Sequence, residues 1–241
     1  MKRFTVALLL CISLVSQAQV EEGQKPGRWR IGLAISPELA HRRILLNSPL
    51  YESMFPYRQQ ERPRFGHTSG LYVNYFFNDV FGLGSGLSYS LKGYQIPWSP
   101  AVWDRIDGVK DSVYHSYAYG RHFVDIPLTA IVKVGSGRFR SISQAGVVLN
   151  SIIGSSNRSV VEYQDGRTYR SSSYHSLKHG VGVIYLSGVI STGVSYEMSK
   201  RLELRLEPVL RYMFWNSEMD RDPYYMHYWN AGLSLGAFVS L

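Results

Sequence analysis

Along residues 201–215 the chain alternates between grease and charge. Leu202, Leu204, Leu206, Leu210, Tyr212 and Phe214 take one parity, while Glu203, Arg205, Glu207 and Arg211 take the other. Side chains alternate faces along a strand, so this stretch reads as a strand with one apolar and one ionic face. Seven further segments alternate in the same way: residues 28–36, 67–77, 81–92, 117–134, 138–152, 183–198 and 228–241, with 138–152 the least regular. Short turns separate three pairs of these strands, at Asn78-Asp79, Gly135-Ser136-Gly137 and Ser199-Lys200. Long polar connections at 37–64, 93–116, 153–180 and 216–227 join the rest. An up-and-down meander with this rhythm puts both termini and every short turn at one end and the long loops at the other.

Alternation leaves open whether the apolar face turns inward, as in a soluble lipocalin-like ligand-binding barrel, or outward into lipid. Three features favour lipid. The polar faces of 81–92, 183–198 and 228–241 are mostly Gly and Ser, which suits a crowded interior better than a water-facing exterior. Most segments exceed the roughly 9 to 11 residues that a tilted strand needs to cross a bilayer. Aromatics gather near strand ends, with Trp29, Phe81, Tyr196, Tyr212, Phe214 and Trp229 placed as interfacial girdles. The expected fold is therefore all-β: an eight-stranded antiparallel up-and-down transmembrane β-barrel with short periplasmic turns and long extracellular loops. Eight strands leave a lumen just wide enough for side chains to fill. Asp125, Lys133, Glu197, Glu203, Arg205, Glu207 and Arg211 would meet there as a paired polar network, and a small pocket could remain beside the bare faces of 81–92 and 228–241.

Composition narrows the picture. Residues 1–18 have Lys2 and Arg3, an apolar run, and Ser16 and Ala18 ahead of a cut before Gln19, the pattern of a signal peptide. Residues 19–241 then form a single barrel domain. The only cysteine, Cys11, lies in that leader, so the mature chain would hold no disulfide and no cysteine metal site. The net charge of +8 points to anionic lipid or lipopolysaccharide phosphates as partners rather than nucleic acid, which a secreted chain rarely meets.

The runs YFFNDVFGLGSGLSYSLKGY and HFVDIPLTAIVKV, the segment Gln144-Ala145-Gly146 and the strand Gly193-Val194-Ser195-Tyr196-Glu197 resemble the PorT-like outer-membrane β-barrel family of Bacteroidetes. The resemblance spans most of the mature chain. It implies a location in the outer membrane, and for some members a link to secretion machinery, but it carries no catalytic residues. Ser234, Gly236, Val239 and Leu241 are similar to the signal read by the barrel assembly machinery, with Leu in place of the usual final aromatic.

Candidate chemistry is sparse. His67 and Ser69 share the lipid face and resemble the His-x-Ser pair of lipid A deacylases, but the same strand has no carboxylate to orient the imidazole. His115-Ser116 and Tyr174-His175-Ser176 fall in expected loops. Asp104, Asp107 and Asp111 around Gly108 lack the oxygen spacing of a calcium loop. No cofactor is expected. The leading expectation is a non-enzymatic outer-membrane barrel that serves as a structural, adhesion or accessory component of an envelope or secretion complex. A lipid A-modifying hydrolase and a soluble ligand-binding barrel remain as alternatives.

Overall fold

The computed structural model describes residues 28–55, 57–104, 110–176, 184–216 and 224–241. The leader and Asp107 lie outside the described residues. Nine strands are found among them: β1 (Trp29–Leu46), β2 (Arg62–Phe76), β3 (Phe81–Asp104), β4 (Lys110–Val134), β5 (Phe139–Tyr163), β6 (Thr168–Ser176), β7 (Ile184–Glu197), β8 (Leu202–Asn216) and β9 (Tyr224–Ser240). Each strand pairs antiparallel with its neighbours. The ladder closes because β9 pairs with β1 and β4 pairs with β5. Eight strands form the closed ring. The ninth, β6, pairs with the far half of β5 and stands outside it.

Closure satisfies the backbone hydrogen bonds that an open edge would leave bare in hydrocarbon. The outer face is apolar: Leu33, Ile35, Leu71, Leu87, Leu128, Ile190, Leu206 and Leu235 are exposed. The inner face buries Glu38, Asp125, Lys133, Glu203, Arg205 and Glu207. A soluble barrel would reverse these faces, so the lipocalin-like alternative is set aside. On β5 the facing is Ser141, Ala145, Val147 and Leu149 outward, with Ile142, Val148 and Asn150 inward. The Ser143 hydroxyl, also on the outer wall, meets its cross-strand partner Thr192 Oγ1 at 2.9 Å. That bond satisfies two polar groups that lipid could not.

Three short turns share one end of the ring with the start of β1 at Trp29 and the end of β9 at Ser240. Asn78 Oδ1 accepts from the Val80 and Phe81 amides, and Ser199 Oγ accepts from those of Arg201 and Leu202. Gly135 and Gly137 supply the positive φ angles, 120° and 78°, of the turn between β4 and β5. The Leu241 amide donates to Trp29 O at 3.0 Å, tying the final residue to the first strand.

The far end corrects the expected long loops. Residues 37–46 continue β1, 93–104 continue β3, and 110–116 begin β4. Residues 153–163 continue β5, while 168–176 form β6. His115-Ser116 and Tyr174-His175-Ser176 therefore stand in strands rather than loops. Among the described residues the true connections include 47–55 and 57–61, with two short 3-10 turns, and the four-residue β5–β6 turn around Gly166. Two of the strands, β4 and β5, have 25 residues each, more than twice the roughly 9 to 11 needed for one crossing, so their far halves stand clear of the apolar belt.

Candidate functional site

The lumen is filled by separate clusters rather than one network. At the short-turn end Glu203 pairs with Arg30, with Arg205 Nε at 3.0 Å and with Lys133 Nζ at 3.1 Å. Lys133 also reaches Glu197 at 2.9 Å, and Arg140 joins at 3.6 Å. The Arg205 guanidinium lies 3.9 Å from the centre of the Phe238 ring. Such cation–π contacts help to offset the cost of burying charge.

Further along, Glu207 accepts from Gln144 Nε2 at 2.8 Å and from Ser191 Oγ at 2.7 Å. Asp125 accepts from Ser90 Oγ at 2.6 Å, Asn150 Nδ2 at 2.6 Å and Lys92 Nζ at 3.3 Å. Arg211 pairs with Glu38, which also accepts from Asn230 Nδ2 at 2.8 Å and Thr68 Oγ1 at 3.1 Å. Above these, Phe123, Ile152, Tyr185, Met213 and Tyr228 form an apolar layer across the lumen. The sequence pattern picked out seven charged residues but missed Arg30, Glu38, Lys92 and Arg140, which complete the clusters.

A cavity of about 70 Å³ remains between the clusters, lined in part by Gly84, Ser88, Asp125, Arg211, Ser234 and Gly236. Ser234 and Gly236 thus face inward beside the cavity. Val239 lies on the outward parity, and Leu241 is exposed at the rim. The aromatic positions fall into two groups. Trp29, Phe81 and Tyr196 ring the short-turn end, where Trp29 packs on Tyr75 at 4.8 Å and Tyr196 on Phe139 at 4.6 Å. Tyr212, Phe214 and Trp229 stand at the opposite edge of the belt.

Beyond the belt the lumen opens into a vestibule of about 490 Å³ lined by Arg42, Phe55, Tyr94, His115 and Val161 among others. Arg42 Nε donates to Glu61 Oε2 at 3.0 Å, and its guanidinium stacks 3.7 Å from the Tyr94 ring centre. Burial pushes the Tyr94 phenol up to about 12 against the opposing pull of Arg42, so it stays protonated at neutral pH.

The most chemically equipped surface lies on the outer wall where the belt ends. His122 Nε2 and Ser156 Oγ are 2.9 Å apart, and the Tyr89 hydroxyl bonds His122 Nδ1. Pairing places His67, Leu91, His122 and Gly154 in one cross-strand row. The next row holds Gly93, Gly120, Ser156 and Tyr174, and the one above holds Arg62, Gln95, Ala118, Arg158 and Ser172. Arg64 lies across the two glycines. A Cβ on Gly93 would come within 3.1 Å of Arg64 Cδ, and one on Gly120 within 2.7 Å of Arg64 Nη1 and 2.8 Å of Ser156 Oγ. The bare glycine floor leaves room for the guanidinium beside the serine hydroxyl.

His67 and Ser69 are not the hydrogen-bonded pair. The His67 ring is tilted against Tyr89 at 5.5 Å, and Ser69 faces Tyr89 in the ladder. The Ser–His contact joins β4 to β5, 34 residues apart, and was not legible in the chain. Asp104 and Asp111 fall at the facing ends of β3 and β4.

The model for the outer membrane protein beta-barrel domain family matches residues 17–237. Among solved structures the chain is similar to Neisserial surface protein A, with 16% identity, 91% of this chain and 100% of that chain covered, and a TM-score of 0.43. It is also similar to OprG from Pseudomonas aeruginosa, with 12% identity, coverages of 91% and 99%, and a TM-score of 0.38. For the outer membrane protease OmpT from Escherichia coli the identity is 9%, the coverages 92% and 99%, and the TM-score 0.40. No curated protein sequence matches the chain. The closed antiparallel ring, its apolar exterior and the match over nearly the whole length agree: this chain belongs to the outer membrane protein beta-barrel domain family and resides in the cell outer membrane.

Proposed function

We propose that the protein is a non-enzymatic, non-conducting barrel that anchors a β-sheet platform outside the membrane. It would serve there as a structural, adhesion or accessory component of an envelope or secretion complex. The observation that carries this reading is the division of labour along the strands. Ionic clusters and an apolar layer fill the lumen and leave about 70 Å³, while the far halves of β3, β4 and β5, extended by β6, stand beyond the belt. A cavity of that size holds a few waters and cannot pass a solute. The PorT-like motifs support membership of that finer group and contact with a neighbouring envelope protein. The leader and the terminal Ser234, Gly236, Val239 and Leu241 support export and handling by the barrel assembly machinery.

Two measurements test this. Purified protein in a planar bilayer should give no ion conductance, and steady channel openings would overturn the plugged-lumen reading. Crosslinking in intact cells through residues of β6 should capture an envelope component, whereas crosslinking only to lipid would remove the protein-partner role.

The Ser156–His122 contact favours a second reading, a lipid-ester hydrolase with Ser156 as nucleophile and His122 as base. This replaces the His67–Ser69 pair suggested by the sequence. It requires the Tyr89 oxygen to accept from Nδ1–H, leaving Nε2 free to take the serine proton. An unchanged acylation pattern of outer-membrane lipid after overproduction of the wild type, compared with Ser156→Ala, would remove it.

A further inference from the structure

We infer that the groove on the outer wall of β2–β6 is a binding site for the phosphate headgroup of an anionic outer-leaflet lipid, with Arg64 and Arg158 as its cationic walls. This deepens the contact role proposed above and rests on it. The groove encloses about 630 Å³ and is lined by Arg64, Phe65, Ser156, Arg158 and Tyr174 among others. Its position sets the class of ligand. Along β4 the outward residues run Leu128, Ile126, Val124, His122, Gly120 and Ala118, so the hydrocarbon-facing surface ends at His122. The rows above hold the hydroxyls of Ser156, Tyr174 and Ser172 and the guanidiniums of Arg64 and Arg158. Lipid phosphates lie at that depth.

Charge makes the same point. Among the described residues neither Arg64 nor Arg158 has a carboxylate partner, although the lumen arginines Arg30, Arg42, Arg205 and Arg211 all do. Arg64 is not simply a solvated surface cation. It is laid over Gly93 and Gly120 with its guanidinium held beside Ser156, and its forked donors suit phosphate oxygens.

In one of its two polarities the hydrogen-bond chain behind the groove adds a third donor. A phenol donating to Nδ1 leaves a neutral imidazole protonated on Nε2, so His122 donates to Ser156 Oγ. The serine proton is then free to point into the groove. In this polarity the Tyr89–His122–Ser156 chain presents a donor to an anion. The opposite polarity, with Ser156 donating to His122, would serve a nucleophile.

Native mass spectrometry of the full-length mature protein from detergent micelles tests the inference. The probes are lipid A bearing its phosphates and the same lipid A with them removed. The wild type should retain the phosphorylated form and not the dephosphorylated one. Arg64→Gln and Arg158→Gln should each weaken retention roughly tenfold, the change expected on losing one charge-assisted contact. Arg28→Gln, the same charge change at the short-turn end, should have no effect. Arg158 is exposed and supports nothing beneath it, so R158Q keeps the test decisive if R64Q fails to fold. Equal retention of dephosphorylated lipid A, equal loss in R28Q, or displacement by an equimolar amount of inorganic phosphate would each overturn the inference. Such results would leave the platform reading standing, because that reading is judged by conductance and crosslinking. Release of free fatty acid from the probe would instead assign the groove to hydrolysis.

Discussion

Glu203 is the residue on which the short-turn end of the lumen depends. It faces Arg30, Lys133 and Arg205 at once, and its own side chain is 3% exposed. Glu203→Ala should leave three buried cations around one vacated position and destabilise the barrel by about 3–5 kcal/mol, read from the urea unfolding midpoint in detergent or lipid. On the opposite face, Leu206 pairs with Val194 and Leu235 in the middle of the belt. Leu206→Arg should cost about 2–4 kcal/mol in a lipid bilayer, and clearly less for a rim position such as Leu241→Arg. Equal costs at the two positions would deny that this face touches hydrocarbon. Both residues were legible in the chain, because period-two patterning is strict where one face meets oil and the other a packed lumen. Ser141 and Ser143 were not. They put hydroxyls on the oily side of β5, and only the pairing of Ser143 with Thr192 shows how lipid tolerates them.

At the level of the strands, legibility fails where the belt ends. Above it the outer face meets water while the inner face packs a mixed interior that includes Ala40, Arg42, Ile44, Tyr94 and Val113, so polar residues appear on either side and the apolar–polar alternation fades. Prolines then hide the continuation. Pro37 lies where the ladder between β1 and β9 is interrupted, and Pro97 lies in the register shift between Ile96 and Ser99. Each marks a place where a missing N–H is harmless, not the end of a strand. The Ser156–His122 contact was lost for the same reason, since Ser156 falls in a segment that reads as a connection. The parity of His122 with Val124 and Ile126 was the one available hint. The addition of β6 outside the ring has a mechanical corollary. Replacing residues 164–176 with a Gly/Ser linker of the same length removes one ladder with β5 and none of those that close the ring. The altered chain should still fold, with an unfolding midpoint within experimental error of the unaltered protein. Loss of the folded, heat-modifiable species on gels would mean that β6 helps to close the barrel.

At the scale of the molecule, β3, β4 and β5 rise far above the belt with β6 beside them. A partner moving within the plane of the membrane would meet this wall on the side where β3 to β6 stand. The two ends of the cylinder also differ in what can reach them. Cys11, the sole cysteine, lies in the expected leader, so a chain cut before Gln19 would offer no thiol of its own and an introduced cysteine would be a clean reporter of sidedness. Gly166→Cys, at the tip of the β5–β6 turn, should react on living cells with a maleimide too polar to enter the envelope. Asp79→Cys, in the turn joining β2 to β3, should stay dark until the cells are broken. The reverse labelling would turn the cylinder upside down and place its tall wall in the periplasm.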